Sequence, residues 1–203
     1  MADDGIVYVI DDDEGARHSL EFLIDCAGLK VRSFSSADAF LAAGPPLDRA
    51  CVVSDVRMPG MSGVELVSEL KRRGAAVPVI MITGHADVPL AIQAMRAGVA
   101  DFIEKPFDDD AMLTSIRAAL AQQAGRDEAQ AERDRIAARM ATLSPREREV
   151  MDGLVAGKAN KIIAFDLDIS ARTVEVYRAN VMMKMQARSL SELVRMVTIA
   201  QLG

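Results

Sequence analysis

Residues 52–63, VVSDVRMPGMSG, set a carboxylate at the end of an apolar, β-branched run and a helix start shortly after it. Such a run is typical of a buried strand. Ser62 and Glu65 have the spacing of a capping box, which marks a helix N-terminus. That helix closes with a basic turn followed by Gly74, a typical C-terminal signal. The stretch therefore predicts a βα unit whose connecting loop begins at Asp55.

The same alternation extends through the first 123 residues. Short apolar runs that predict strands lie at 6–10, 30–34, 51–54, 77–83 and 101–104, with longer helical patterns between them. Alternation of this kind predicts a parallel sheet. We expect an α/β fold with a doubly wound, five-stranded parallel sheet, in which ligand sites lie beyond the carboxyl ends of the strands.

The remaining residues have no strand pattern. Residues 124–141 are rich in helix-forming and mixed charged residues, which predicts a helical linker with Gly125 as its weak point. Residues 142–203 predict four short helices. Their N-terminal signals are Ser144 with Pro145 and Glu147, Ser170, and Ser189 with Glu192. The predicted domains are 1–123, 124–141 and 142–203, the last of them all-α.

Composition agrees with two modest domains in 203 residues, half of them hydrophobic. The apolar runs are far shorter than a membrane span, and the N-terminus is acidic where a signal peptide would be basic, so we expect a soluble, cytoplasmic protein without a membrane partner. Residues 1–125 hold 11 Lys+Arg against 19 Asp+Glu, and residues 126–203 hold 13 against 11. A positive second half is compatible with nucleic-acid binding. Cys26 and Cys51 are expected to be small buried side chains.

Several side chains follow the predicted strands at the carboxyl edge of the sheet. They are Asp11, Asp12, Asp13, Asp55, Thr83, Glu104 and Lys105. Any one aspartate there could simply cap the next helix. Together, the carboxylates would repel one another unless a cation offset them, and Mg²⁺ prefers such oxygen ligands. Asp11, Asp12 and Asp55 suit the metal, while Asp55 as nucleophile, Lys105 as positive group and Thr83 as hydroxyl donor suit phosphoryl transfer.

Residues 1–123 resemble a response-regulator receiver domain, through VIDDDE, SDVRMPGMSG, MITGHAD and DFIEKPF in the expected order. The resemblance implies that Asp11, Asp12, Asp55 and the Arg57 carbonyl hold Mg²⁺, that Asp55 accepts a phosphoryl group, and that Lys105 pairs with it. It also implies a cis peptide between Lys105 and Pro106 and a switch pair, Thr83 and Phe102.

An aspartate nucleophile also occurs in haloacid-dehalogenase-type phosphatases, which carry a second acid two residues later. Here that position is Arg57, so we expect no enzyme turnover on outside substrates. Of the two histidines, His18 is expected on the surface of the first helix. His85 follows Thr83 closely, and we leave open a tuning role or ordinary surface.

Helical spacing divides residues 171–187 into two faces. Val174, Tyr177, Val181 and Met185 share one face, which is expected to be core. Arg172, Glu175, Val176 and Ala179 share the opposite face, which is either solvated surface or a set of contacts to base edges.

Residues 142–203 resemble a LuxR-type helix-turn-helix domain, through LSPREREV, NKIIAFDLDIS and RTVEVYRANVMMKM. The resemblance implies that Arg172, Glu175, Val176 and Ala179 lie nearest the bases in the major groove. It implies phosphate contacts for Lys158, Lys161, Thr173, Arg178 and Lys184. Tyr177 stands where the family often has histidine.

The whole chain resembles the FixJ/NarL class of response regulators. That likeness implies a transcriptional activator of nitrogen-fixation genes, a sensor histidine kinase of the oxygen-sensing FixL type as phosphoryl donor, double-stranded DNA, and RNA polymerase as partners. A regulator of the same class could also serve another kinase and pathway.

A two-state switch follows from this likeness as a hypothesis. Phosphorylation of Asp55 draws Thr83 inward, Phe102 follows, and two chains pair through a surface containing Ile92, Arg96 and Asp101. A homodimer would then place two helix-turn-helix domains on half-sites about one helical turn apart. The alternatives are a DNA-binding protein that works without phosphorylation and an enzyme that uses Asp55 for turnover.

Overall fold

The computed structural model describes residues 5–84 and 88–201, and the chain divides into two compact units, Met1–Asp127 and Glu128–Gly203. The first unit alternates strands and helices. Its elements are β1 (Ile6–Ile10), α1 (Glu14–Cys26), β2 (Lys30–Phe34), α2 (Ala37–Ala43), β3 (Ala50–Asp55), α3 (Gly63–Arg72), β4 (Val79–Thr83), α4 (Val88–Ala97), β5 (Asp101–Glu104) and the start of α5 (Asp109–Ala141).

The five strands form one parallel sheet in the order β2-β1-β3-β4-β5. Because the order reverses direction at β1, the crossover helices are distributed over both faces of the sheet. The strands predicted at 6–10, 30–34 and 101–104 have the predicted bounds. The ends of β3 and β4 differ from the predicted bounds by one or two residues. The predicted doubly wound α/β fold is confirmed.

Two apolar clusters cover the two faces of this sheet. On one face, Phe40 of α2 and Leu66 of α3 pack with Tyr8 and Val52 of the strands. On the other face, Ile24 of α1 and residues 112–120 of α5 pack with alternate residues of the same strands. Because successive strand side chains point to opposite faces, one apolar strand supplies both cores. Because the strands are packed on both faces, their carboxyl ends have fixed positions along one edge of the sheet.

Helix α5 runs without interruption from Asp109 to Ala141, through Gly125. Its N-terminal part packs in the first unit, whereas Ile136 is fully buried in the core of the second unit. The helical conformation expected for residues 124–141 is present. The compact units divide between Asp127 and Glu128, and the domain bounds inferred from sequence stay a prediction.

The second unit contains α6 (Pro145–Val155), α7 (Asn160–Asp166), α8 (Ala171–Met185) and α9 (Leu190–Gln201). Ser144 caps α6 in a complete capping box with Glu147, and Ser170 caps α8. At α9, Ser189 accepts from the Glu192 N–H, but the Glu192 carboxylate accepts from the Arg188 N–H and not from Ser189. One apolar cluster, which includes Val174, joins these helices. The expected all-α module is confirmed.

Both cysteines have free thiols, and only one is buried. Cys51 lies in β3 and is buried, which raises the pKa of its thiol to about 12. Cys26 is exposed at the end of α1, so the expectation of burial was wrong for that residue. Its helix presents only a narrow buried face, and Cys26 lies outside it. Within residues 5–84 and 88–201, every helix is too short or too polar to span a bilayer.

Candidate functional site

The carboxyl edge of the sheet brings together two acids and a lysine. The Lys105 ammonium lies 2.8 Å from Asp11 Oδ2 and 3.3 Å from Asp55 Oδ1. Asp11 is 2 % and Asp55 9 % exposed. Strands β1 and β3 are neighbours, and the loop after β5 carries Lys105 back to them. Residues separated by 50 and 94 positions in the chain therefore form one charged site.

Backbone and side-chain donors hold the two acids in place. The Arg57 N–H donates to Asp55 Oδ2 at 2.7 Å, and the Asp13 N–H donates to Asp11 Oδ1 at 2.9 Å. Asp13 itself caps α1 by accepting from the Ala16 N–H. Each buried carboxylate thus has one oxygen held by the backbone and the other held by Lys105. Asp13 has the capping role that its position after a strand allows.

Arg17 is a member of this site that sequence reasoning missed. Its Nη1 donates to the Asp11 carbonyl at 2.7 Å and to the Asp12 carbonyl at 3.0 Å. The guanidinium therefore fixes the backbone of the acidic loop from the first turns of α1. The signal for it was a cation one helical turn beyond the N-cap Asp13, on the side of the loop.

Gly63 explains how α3 begins so close to Asp55. A Cβ at this position would collide with the Asp55 carbonyl oxygen and with Met81 Sδ. The Gly63 N–H also donates to the Val56 carbonyl. Glycine therefore lets the first turn of α3 contact the end of β3 directly, which fixes the loop that follows Asp55.

Thr83 lies at this edge, and Phe102 lies two residues before the end of the neighbouring strand β5. Thr83 ends β4, is 2 % exposed, and its carbonyl accepts from the Lys105 N–H at 2.7 Å. Phe102 in β5 is half-buried against the apolar cluster that contains Tyr8. The Lys105–Pro106 peptide is cis, as the resemblance implied.

The charges at the site do not balance, and the pKa values reflect this. Burial raises the pKa of Asp55 and the Asp11 carboxylate acts in the same direction, while the Arg57 N–H and the Lys105 ammonium partly offset them. Partial burial disfavours the charged Lys105, but its hydrogen bonds to Asp11 and Asp55 prevail and raise its pKa. The carboxylates of Asp11, Asp12 and Asp55 outnumber the two cations at this edge, the Lys105 ammonium and the Arg17 guanidinium.

This donor set fits the Mg²⁺ that receiver domains generally require. Asp11, Asp12 and Asp55 offer hard oxygen ligands, and a divalent cation would offset the excess charge. Within the described ranges, no three acidic, histidine or cysteine side chains are already gathered around one point. At this edge Lys105 lies between Asp11 and Asp55, which fits a site that uses few protein ligands and leaves positions to water and phosphate.

The recognition helix candidate, α8, has the two faces that its sequence predicts. Val174, Val181 and Met185 are fully buried, and Tyr177 is half-buried. The opposite face is solvent-exposed and consists of Arg172, Glu175, Val176 and Ala179. Such a face, on a capped helix of 15 residues, can enter a major groove.

The residues expected to contact DNA phosphates differ from one another in exposure and in their hydrogen-bond partners. Lys161 is exposed on α7, and Lys158 is exposed but pairs with Asp166 at 2.7 Å. Arg178 is half-buried, with Nη1 3.5 Å from Asn160 Oδ1. Thr173 is half-buried, and its hydroxyl lies 2.7 Å from the Ser170 hydroxyl at the helix cap.

Lys184 differs most from its expected role. Its ammonium lies 2.6 Å from the buried Glu147 carboxylate, an interaction across 37 positions that helical spacing could not indicate. The pKa of Glu147 is lowered by Lys184 and by the Ser144 N–H. The structure therefore gives Lys184 an internal partner, and we leave it out of the candidate DNA-contacting set.

The residues expected at a dimer surface are exposed. Ile92 and Arg96 are exposed on α4, where the neighbouring Met95 is also exposed. Asp101 at the start of β5 accepts a hydrogen bond from the Ser115 hydroxyl at 2.6 Å. His18 is exposed on α1 as expected, and His85 lies outside the described residues.

Two family models match the chain. The response regulator receiver domain matches residues 7–117, and the model described as bacterial regulatory proteins, luxR family, matches residues 141–197. The first match contains the charged sheet edge, and the second contains α6 to α8 and most of α9. Each model therefore coincides with one of the two candidate sites.

Curated relatives extend this likeness over nearly the full chain. The transcriptional regulatory protein FixJ of Azorhizobium caulinodans is 58% identical over 96% of this chain and 92% of that protein. FixJ of Bradyrhizobium diazoefficiens is 55% identical over 97% and 96%. The C4-dicarboxylate transport transcriptional regulatory protein DctR of Rhodobacter capsulatus is 47% identical over 94% and 98%.

Solved structures give the same result. Full-length FixJ from B. japonicum matches with 54% identity and a TM-score of 0.60, covering 98% of each chain. The response regulator StyR matches with 38% identity and a TM-score of 0.88, covering 96% of this chain and 98% of the other. The chain therefore belongs to the response regulators of the FixJ class, transcriptional regulators that combine a receiver domain with a LuxR-type DNA-binding domain.

Proposed function

We propose that Asp55 accepts a phosphoryl group from a sensor histidine kinase and that this phosphorylation controls DNA binding by the second unit. The observation that carries the proposal is the Lys105 ammonium, which lies within 3.3 Å of both Asp11 and Asp55 at the carboxyl edge of the sheet. Phosphoryl transfer to a carboxylate needs an aligned nucleophile and a nearby positive group, and this arrangement supplies both.

In the proposed step, a carboxylate oxygen of Asp55 attacks the phosphorus of a phosphohistidine on the kinase. The O–P bond forms as the N–P bond breaks, and the electron pair of that bond returns to the imidazole. Lys105 then exchanges its contact with the Asp55 carboxylate for one with a phosphoryl oxygen, and the Thr83 hydroxyl donates to another. Asp11, Asp12, Asp55 and the Arg57 carbonyl would hold Mg²⁺, which would supply positive charge beside the transferring oxygens.

The chain lacks the acid that would make this a phosphatase. Arg57 occupies the position two residues after Asp55, and its guanidinium cannot act as a proton acceptor. Without a general acid or base there, the acyl phosphate on Asp55 persists as a signal and is not turned over on outside substrates.

Phosphorylation is proposed to act through Thr83 and Phe102 on the surface of α4 and β5. Movement of the buried Thr83 hydroxyl toward the phosphoryl group leaves space near β5, and the half-buried Phe102 ring moves into it. The changed surface, with Ile92, Arg96 and Asp101, then pairs with a second copy. The support is the exposure of two large apolar side chains on α4, Ile92 at 47 % and Met95 at 59 %.

A dimer of this kind would bind double-stranded DNA through α8. Arg172, Glu175, Val176 and Ala179 are proposed to contact bases, because they form the exposed face opposite the core. Lys158, Lys161, Thr173 and Arg178 are proposed to contact phosphates and so to give affinity that depends on salt.

The proposed pathway follows the relatives named FixJ. We propose a FixL-like oxygen-sensing kinase, nitrogen-fixation genes as targets that RNA polymerase transcribes after activation, and action in the cytoplasm, where the chromosome lies. DctR, whose name concerns C4-dicarboxylate transport, also matches nearly the full chain. Regulators of this architecture therefore also serve a pathway other than nitrogen fixation. Phosphorylation of this chain by a FixL-type kinase, tested beside a DctR-associated kinase, distinguishes the two.

The first test combines intact mass measurement with analytical ultracentrifugation in Mg²⁺, with and without acetyl phosphate. We expect the mass of one added phosphoryl group and a shift from monomer to dimer, with neither in Asp55→Asn. Addition of phosphate to Asp55→Asn would show that another residue is the acceptor. Phosphorylation of Asp55 without a change of assembly would contradict the dimer step alone.

A further inference from the structure

The C-terminal end of the recognition helix α8 is tied to the elements that precede the helix-turn-helix. Lys184, in the last turn of α8, donates to Glu147 Oε2 at 2.6 Å and to the Thr142 carbonyl at 3.3 Å. The same Glu147 oxygen accepts from the Ser144 N–H at 2.8 Å, which completes the capping box of α6. One carboxylate oxygen therefore joins the start of α6 to the end of α8.

A second contact ties α8 to the end of α5. Arg139, in the last turn of α5, donates from Nη1 to the Met185 carbonyl at 3.3 Å. Ile136, one turn earlier, is fully buried in the core that also contains Met185. We call Arg139, Thr142, Glu147 and Lys184 the junction cluster. All four belong to the second compact unit.

The position of this cluster matters because of the length of α8. At a rise of 1.5 Å per residue, Arg172 lies roughly 18 Å along the helix axis from Lys184. A tilt of about 5° at the C-terminal end would therefore displace the base-contacting residues by roughly 1.5 Å, which is enough to break a hydrogen bond to a base edge.

We propose that Lys184 and Arg139 are positioning residues that set the angle of α8 against α5 and α6 and so determine how well α8 discriminates between DNA sequences. The proposal rests on the proposed DNA-binding function and assigns Lys184 a role other than a phosphate contact. If Lys184 left Glu147 for a phosphate, a carboxylate that is only 4 % exposed would lose its charged partner, which is unfavourable.

Salt dependence separates the two roles. Each phosphate contact that is lost lowers the slope of log affinity against log salt by about 0.9, whereas an internal ion pair contributes nothing to that slope. A positioning residue affects binding to the preferred sequence and leaves non-specific binding unchanged, because non-specific binding depends on charge and not on the fit to base edges.

The test uses the full-length protein with Mg²⁺ and acetyl phosphate. One probe is a duplex that the unsubstituted protein enriches from a random pool, and the other is poly(dI-dC). We expect Lys184→Met and Arg139→Met to weaken binding to the enriched duplex about tenfold, with an unchanged salt slope and unchanged poly(dI-dC) binding. The control Lys161→Met, at an exposed cation on α7, should weaken binding to both probes and lower the slope by about 1.

Two results would overturn the proposal. A reduced slope with equal loss on both probes would make Lys184 a phosphate contact, and a lowered melting temperature with unchanged binding well below it would make the cluster merely structural. If no duplex is enriched, the proposed function fails. The junction is then tested by hydrogen exchange, where Lys184→Met but not Lys161→Met should speed exchange of the last-turn amides of α8, and no difference would refute the cluster's role.

Discussion

The two units each contain a buried carboxylate that contacts a lysine, and the two carboxylates have opposite pKa shifts. Asp55 lies 3.3 Å from Lys105 and has a raised pKa, because it is buried and shares that lysine with Asp11. Glu147 lies 2.6 Å from Lys184 and has a lowered pKa, because this lysine and a backbone N–H both favour its charged form. At Asp55 the cost of burying the charge prevails over its partners, whereas at Glu147 the hydrogen bonds to the charged form prevail over burial.

The difference separates a site built for chemistry from a contact built for stability. A carboxylate that is poorly compensated gains from a new cation, because the cation offsets the excess negative charge. A carboxylate whose charge is already matched gains nothing from an external partner. Asp55 therefore belongs to the first kind and Glu147 to the second.

The largest expected effect on stability is that of Glu147→Gln. Glutamine keeps an oxygen for the Ser144 N–H, so the substitution removes the charge and spares the cap. The Lys184 ammonium would lose its charged partner, and we expect the melting temperature of the DNA-binding unit to fall by roughly 5 °C or more in calorimetry. The control is Glu149→Gln, an exposed acid paired with Arg146, which should change it little. An equal effect of both substitutions would remove the distinction between the two kinds of site.

Asp55→Asn should have the opposite effect on stability. The substitution removes one of two buried acids that share Lys105, so we expect the unphosphorylated receiver unit to become more stable by about 1 kcal/mol. Calorimetry without Mg²⁺ measures this, with the exposed Asp48→Asn as the control. With Mg²⁺ the unsubstituted protein should recover part of the difference, because the cation binds its folded form. A less stable Asp55→Asn protein would make Asp55 a structural acid like Glu147.

The pH dependence of these differences should also be opposite. The pKa of Glu147 lies below its ordinary 4.5, so its stabilisation is complete above pH 4.5 and is lost as the pH falls through the lowered value. The pKa of Asp55 lies above 3.8, so its contribution is present below pH 3.8 and is lost as the pH rises through the raised value. In acid, the melting temperatures of both variants should therefore approach that of the unsubstituted protein. Glu147→Gln should start from a lower melting temperature and Asp55→Asn from a higher one. Melting temperatures measured across this range check the two directions.

The contrast between the two sites could be predicted from sequence only in part. Capping signals such as Ser62 with Glu65, and the apolar runs of the strands, depend on neighbours a few residues away, and the structure confirms them. The parallel order of the strands then placed Asp11, Asp55 and Lys105 at one edge. In contrast, the Glu147–Lys184 pair depends on how α6 packs against α8, which no local pattern specifies. Arg17 stands one helical turn beyond the N-cap Asp13, but its targets are two backbone carbonyls, which side-chain composition does not reveal.

A third acid–lysine pair gives the smallest expected effect and tests whether exposure matters as much as charge balance. Lys158 and Asp166 are 2.7 Å apart, nearly as close as Lys184 and Glu147, but their side chains are 47% and 38% exposed. Exposed pairs contribute little, so Asp166→Asn should change the stability of the DNA-binding unit by less than about 0.5 kcal/mol. Because Lys158 would then be free to contact a phosphate, DNA affinity should rise a few-fold.

Asp152→Asn is the matched control for that last effect, since Asp152 is also an exposed acid of the same unit and its removal changes the net charge equally. Fluorescence anisotropy with a labelled duplex at two salt concentrations measures both variants. An equal gain from both would reflect net charge alone, and a gain from neither would take Lys158 away from the phosphates. A gain confined to Asp166→Asn would show that an exposed acid–lysine pair leaves its lysine available for DNA. The pair of Lys184 with the buried Glu147, in contrast, commits its lysine to the fold.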